Sequence, residues 1–90
     1  MDYELAEELH KTGFKPKNVT IAGSILAIQT TSLSELMEAC GDGFDTLYRT
    51  NGRWYAIGYT RVKRIDIDGI ELDCNSPEEA VARLWLELNK

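Results

Sequence analysis

Hydrophobic positions along this chain follow two rhythms, and the switches between them divide it into elements. Leu5, Ala6 and Leu9 recur at helical spacing against Glu4, Glu7, Glu8 and Lys11, which predicts an amphipathic helix over about Asp2 to Thr12. Gly13 supplies a left-handed stop, Phe14 can fold back on Leu9, and Pro16 enforces the break. The run VTIAGSILAIQ, Val19 to Gln29, has no charge and is rich in β-branched residues. A strand covered on both faces is expected there, with a bulge or a break at Gly23. Ser32 and Glu35 form a capping-box pair that opens a short second helix. Leu33, Leu36, Met37 and Cys40 make its apolar face and Gly41 its stop.

The period then changes to two. FDTLYRT and RWYAIGYT are separated by Asn51-Gly52 alone, the pair that supplies both positive φ angles of a type I′ hairpin turn. A two-residue loop fixes the register: Thr50 opposite Arg53, Arg49 opposite Trp54, Tyr48 opposite Tyr55, Leu47 opposite Ala56. Alternation places Leu47, Trp54 and Ala56 on one face and Tyr48, Tyr55, Ile57 and Tyr59 on the other. Both faces are partly apolar, which implies either helices on both sides of the sheet or a second face used for binding. RIDIDGIELD repeats the device with Asp68-Gly69 as the turn, so that Ile65, Ile67, Ile70 and Leu72 share a core face. Ser76, Pro77 and Glu79 then open a last helix running to about Asn89. Val81, Leu84, Trp85 and Leu88 form its apolar stripe, widened by Ala80, Ala82 and Leu86.

These elements predict one α+β domain over residues 1–90: an antiparallel sheet of three to five strands and three helices, with the C-terminal helix packed on the sheet. Ninety residues give a thin core, in which the closing helix is expected to be the principal support. Hydrophobic and charged contents of 43% and 28% lie near globular averages and argue against disorder.

Charge and chemistry narrow the function classes. The net charge of −5 disfavours non-specific attraction to a polyanion. Its distribution is uneven: residues 49–64 hold five bases and no acid, whereas residues 1–48 hold eight acids and three bases, and residues 65–90 seven acids and two bases. No apolar run approaches the length of a membrane span and the N-terminal stretch is acidic, so no membrane association and a cytoplasmic location are expected. Cys40 and Cys74 read as small buried hydrophobes. They lack metal-ligand spacing, and His10, the single histidine, reads as a residue of a helix's last turn. Asp66, Asp68, Glu71 and Asp73 do not follow the order of a calcium loop, nor does Gly41-Asp42-Gly43 follow that of a phosphate loop. No cofactor, no metal and no enzymatic activity are expected.

The residues that stand out are Arg49, Arg53, Arg61, Lys63 and Arg64, interleaved with Tyr48, Trp54, Tyr55 and Tyr59. Guanidinium groups pair with anions while aromatic faces stack, so such a mixture suits a binding surface. Arg53, Tyr55, Ile57, Tyr59, Arg61 and Lys63 share one parity and would line one face of an unbroken strand. The competing reading is a solvated hairpin whose arginines pair with the chain's own carboxylates.

LAEELHKTGF at 5–14, LSELMEACGDGFDTL at 33–47, GRWYA at 52–56 and SPEEAVARLWLELNK at 76–90 together resemble short phage and prophage proteins with a phage ABA sandwich domain. The resemblance covers most of the chain but not Val19 to Thr31, and Ser76 stands where Thr is usual. It implies a virus-derived accessory protein of mostly unassigned role. WYAIGYT, IDGIELDC and SPEEAVARL are also similar, over shorter motifs, to HicB-type antitoxin domains, in which a three-stranded sheet precedes a helix. The leading expectation is therefore a non-enzymatic phage accessory protein that binds a host or viral protein, with inhibition of a host defence as one such role. The second is a nucleic-acid-binding or antitoxin-like module using residues 48–64.

Overall fold

The structure, a computed structural model, describes residues 1–16 and 25–90. Among these residues four helices and a three-stranded antiparallel sheet make an α+β fold: α1 Tyr3–Thr12, α2 Ile25–Gln29, α3 Leu33–Cys40, β1 Phe44–Thr50, β2 Arg53–Tyr59, β3 Arg64–Ile67 and α4 Pro77–Leu88. A 3-10 turn, Gly41–Gly43, leads from α3 into β1.

The helix ends form as their local chemistry dictates. Asp2 caps α1 by accepting from the Leu5 amide at 2.8 Å, and Ser32 and Ser76 cap α3 and α4 through the amides of Glu35 and Glu79. At the other end of α1, Gly13 takes φ 98°, and the amides of Gly13 and Phe14 donate to the carbonyls of His10 and Leu9. That doubly bonded stop turns Phe14 inward, where its ring meets Trp85 of α4 edge-on, with centroids 5.1 Å apart.

The hairpin has the register that Asn-Gly specifies. Thr50, Arg49, Tyr48 and Leu47 pair with Arg53, Trp54, Tyr55 and Ala56, and Asn51 and Gly52 carry φ of 50° and 76°. The sheet order is β1-β2-β3. Its inner face presents Leu47, Trp54, Ala56, Ile65 and Ile67 to α4, whose Val81, Leu84, Trp85 and Leu86 are buried against it and the other helices. Gly58 lies where the layers are tightest: a Cβ there would stand 2.3 Å from the Gly43 carbonyl oxygen and 2.8 Å from Leu84.

Three expectations are corrected. Ile25–Gln29 is a helical turn, not the end of a strand; the expected residues 19–24 lie outside the described ones. An uncharged apolar run suits a buried helix as well as a strand, and here Ile28 is buried at helical spacing while the Thr30 and Thr31 hydroxyls bond back to Leu26 and Ala27. The N-terminal amine ties this turn to α1 by donating to the Gln29 carbonyl at 3.0 Å.

Asp68-Gly69 does not turn a second hairpin. Neither residue has positive φ, so a type I′ turn does not form. Instead the Asp68 carboxylate accepts from the amides of Ile70 and Glu71, the Cys74 amide donates to the Gly69 carbonyl, and the segment closes on β2 through the Trp54 amide and the Cys74 carbonyl. Ile70 and Leu72 consequently leave the core and are 57% and 37% exposed. Finally, β2 ends at Tyr59, and Arg61 and Lys63 occupy the turn to β3, where the Thr60 hydroxyl accepts from the amides of Val62 and Lys63.

Two substitutions test this packing. Leu84→Ala removes a fully buried side chain between α4 and the sheet and is expected to cost about 2–5 kcal/mol in urea denaturation. Gly69→Ala would put a Cβ 2.0 Å from the Trp54 carbonyl oxygen, a backbone atom that cannot rotate away, and is expected to lower stability by at least about 1–3 kcal/mol.

Candidate functional site

With α4 on the inner face, the side chains of opposite parity on β1, β2 and β3 point outward. Among the described residues the buried core takes none of them. Tyr48 and Tyr55, a directly opposed pair, stack at 5.0 Å with their rings 6° from parallel. Ile57 and Tyr59 continue the surface along β2; Tyr48 and Tyr59 are 42% and 46% exposed. Stacking fixes the two rings side by side, so the face is apolar and rigid in its middle, with phenolic hydroxyls available to a partner. Burial against its neighbours, followed by the Asp68 carboxylate and Tyr48, raises the pKa of Tyr55.

The expected cationic residues are not brought together in one stripe. Arg53 and Arg64 flank the aromatic face, and each already has a carboxylate: Arg53 Nε to Asp73 Oδ1 and Arg64 Nε to Asp66 Oδ1, both at 3.0 Å. These pairs are solvent-exposed, so each holds its guanidinium in place with about 0–1 kcal/mol. Arg49 opposes Trp54 and so has inner-face parity, but lies beyond the core near the hairpin tip. Arg61 and Lys63 sit at the other end of β2, in the turn to β3. The reading of a hairpin whose arginines meet the chain's own acids therefore holds for two residues, and Arg49, Arg61 and Lys63 have no carboxylate partner among the described residues.

A cleft of about 510 Å³ opens beside Tyr59, between the 3-10 turn, the β2–β3 turn and the end of α4; Asp42, Gly43, Thr60, Arg61 and Asn89 supply its polar rim. Gly41 reads from the sequence as a helix stop, and no local signal joins Gly41-Asp42-Gly43 to Asn89, forty-six residues after Gly43. Cys40 reaches this cleft, but burial pushes its thiol up to about 11, which leaves it protonated and a poor nucleophile at neutral pH. Burial likewise raises the Cys74 thiol, against the opposing influence of the Arg83 guanidinium. Both cysteines are free and buried. His10 is exposed in the last turn of α1. Among the described residues no three His, Cys, Asp or Glu side chains come together as metal ligands, and no helix is long and apolar enough to cross a membrane.

The Cys40 shift gives a pH prediction. Its thiol ionises at an ordinary value of 9.0 when unfolded and at about 11 when folded, so the stability it contributes is complete below pH 9 and is lost as pH rises through 11. The urea midpoint is expected to fall over that interval, and less so in Cys40→Ala. Comparison of the chain with protein-family models, curated proteins and solved structures finds no match, so the site's own geometry and the sequence resemblance carry any functional reading.

Proposed function

We propose that this chain is a non-enzymatic phage or prophage accessory protein that binds a host or viral protein through the outer face of its sheet. The observation that carries the reading is the stacked Tyr48–Tyr55 pair, continued by Ile57 and Tyr59, on a face that no described helix covers. Stacked tyrosines lose little side-chain freedom on binding and combine apolar area with a polar tip, properties that enrich aromatic residues at protein contacts. Arg53 and Arg64, held by Asp73 and Asp66, give the face a rim of alternating charge that can select a complementary surface. Its action is occlusion: the docked sheet covers a functional surface of the partner. The viral origin rests on the motif resemblance, and inhibition of a host defence is one role that such occlusion serves.

Nucleic-acid or antitoxin-like binding through residues 48–64 has less support. Three cations of that segment lack ion pairs among the described residues, but Arg49 lies near the hairpin tip whereas Arg61 and Lys63 lie past the opposite end of β2. A polyanion track needs them along one groove, and the net charge of −5 opposes the approach.

The test compares the full chain with Tyr48→Ala/Tyr55→Ala/Tyr59→Ala as bait in lysate of a bacterial host, followed by titration of each purified captured protein. All three positions lie outside the core, so circular dichroism is expected to show an unchanged fold. A partner retained by the parent chain and bound at least about tenfold more weakly by the triple variant supports the reading. Equal affinity for both baits contradicts it. Low-salt binding to an oligonucleotide that falls steeply with salt, with a slope flattened by Arg53→Ala and Arg61→Ala, would establish the other reading instead.

A further inference from the structure

One row of side chains on the outer face is unfinished. Antiparallel pairing sets Ala56 against Ile67, and the next residues keep step: a Cβ on Gly69 would stand 2.0 Å from the Trp54 carbonyl oxygen. Asp68 therefore lies opposite Tyr55, and the row across the sheet reads Tyr48, Tyr55, Asp68. The two tyrosine rings stack 5.0 Å apart, close to the spacing of about 4.8 Å between neighbouring strands, so they stand side by side above β1 and β2. Tyr48 covers the β1 side of the Tyr55 ring. The other π-face looks across β3, where the next side chain in the row is a short, exposed aspartate. A slot one strand wide is left beside that ring, with a carboxylate at its floor. This carboxylate is both fixed and open. Its Oδ1 accepts from the amides of Ile70 and Glu71 at 2.9 and 3.2 Å, which holds the group in place and leaves Oδ2 to an outside donor. After burial, its charge is the next cause of the raised Tyr55 pKa, so it lies close to that side chain. Nearby Asp66 and Asp73 already hold Arg64 and Arg53, whereas no cation among the described residues pairs with Asp68.

We infer that this slot takes an arginine side chain of the partner protein, an assignment that rests on the outer face being the docking surface and names the chemistry it selects. The guanidinium lies flat on the free face of Tyr55, as the third member of the Tyr48–Tyr55 stack, and its N–H edge donates downward to Asp68. Arginine suits the slot better than lysine because a planar guanidinium offers a face to the ring and an edge to the carboxylate at once, and is more weakly hydrated than an ammonium. The face's own guanidinium groups do not fill it, since Arg53 and Arg64 are each held by another carboxylate. A basic residue at the partner's contact also complements a chain of net charge −5.

NMR titration of the full chain at low salt with the blocked tripeptide acetyl-Gly-Arg-Gly-amide tests the slot without any partner. The Tyr55 ring protons are expected to shift saturably and the arginine δ-methylene protons to move upfield in the ring current, while the uncharged citrulline counterpart binds about tenfold more weakly. Asp68→Asn keeps an oxygen for the Ile70 and Glu71 amides, so the turn is retained, and it is expected to weaken the arginine probe about fivefold. Tyr55→Phe keeps the ring and is expected to stay within about twofold of the parent chain. No saturable shift at Tyr55, or equal binding by the parent and Asp68→Asn, would overturn the assignment. So would Tyr55 signals that move on dilution with no probe present, which give the slot to a second copy of the chain. A captured partner that the tyrosine triple variant loses and Asp68→Asn binds as well as the parent sinks the arginine slot and leaves the docking face standing. Probe binding that depends on Asp68, with no tyrosine-dependent partner, supports the slot and counts against the docking face.

Discussion

A single helix closes the fold. Among the described residues α4 is the element that the sheet's inner face shares with α1 and α3: it lies across β2, β3 and β1 and packs on both of those helices. Val81 and Leu84 are fully buried, and Trp85 takes the edge of Phe14 from the stop of α1. At about 1.5–3 kcal/mol for each large side chain fully removed from water, these few residues outweigh any exposed ion pair in the molecule. The close approach at Gly58, and that of Gly69 to the Trp54 backbone, follow from the same demand, because the layers have to meet across a thin core.

One-sided packing has a consequence for function. With α4 on the inner face, no described helix covers the outer one, and Tyr48 and Tyr59 on it are exposed. A simply solvated face would alternate polar residues, as β3 does with Arg64 and Asp66. β2 instead places Tyr55, Ile57 and Tyr59 there, and β1 adds Tyr48 in register. Covering the inner face and presenting the outer one are thus two results of the same strand periodicity, and the proposed docking surface depends on the clamp as much as the core does.

Much of this was legible locally. Asn51-Gly52 determined the hairpin to the residue because only such a pair accepts two positive φ angles, and the Ser caps and Gly13 marked helix ends because they satisfy backbone groups within a few residues. Two misreadings have physical causes. Ile25–Gln29 belongs to an uncharged run in which helical and extended burial look alike, and contact with α1 together with the N-terminal amine decides for the helix. Asp68-Gly69 has the composition of a hairpin turn, yet the Asp68 carboxylate bonds the next two amides and Gly69 is needed for close approach to Trp54 rather than for its φ. Of the candidate site, the aromatic face was legible from alternation alone. The dispersal of its cations was not, because the end of β2 at Tyr59 depends on the Thr60 turn. Nor was the cleft beside Tyr59, which joins segments distant in sequence.

The central claim is that the sheet is sealed on one side and open on the other. Solvent paramagnetic relaxation, read by NMR with an inert soluble gadolinium chelate, measures it directly. The account predicts strong enhancement at the ring protons of Tyr48 and Tyr59 and almost none at the methyls of Ala56, Val81 and Leu84. Tyrosine rings as protected as those methyls would contradict it.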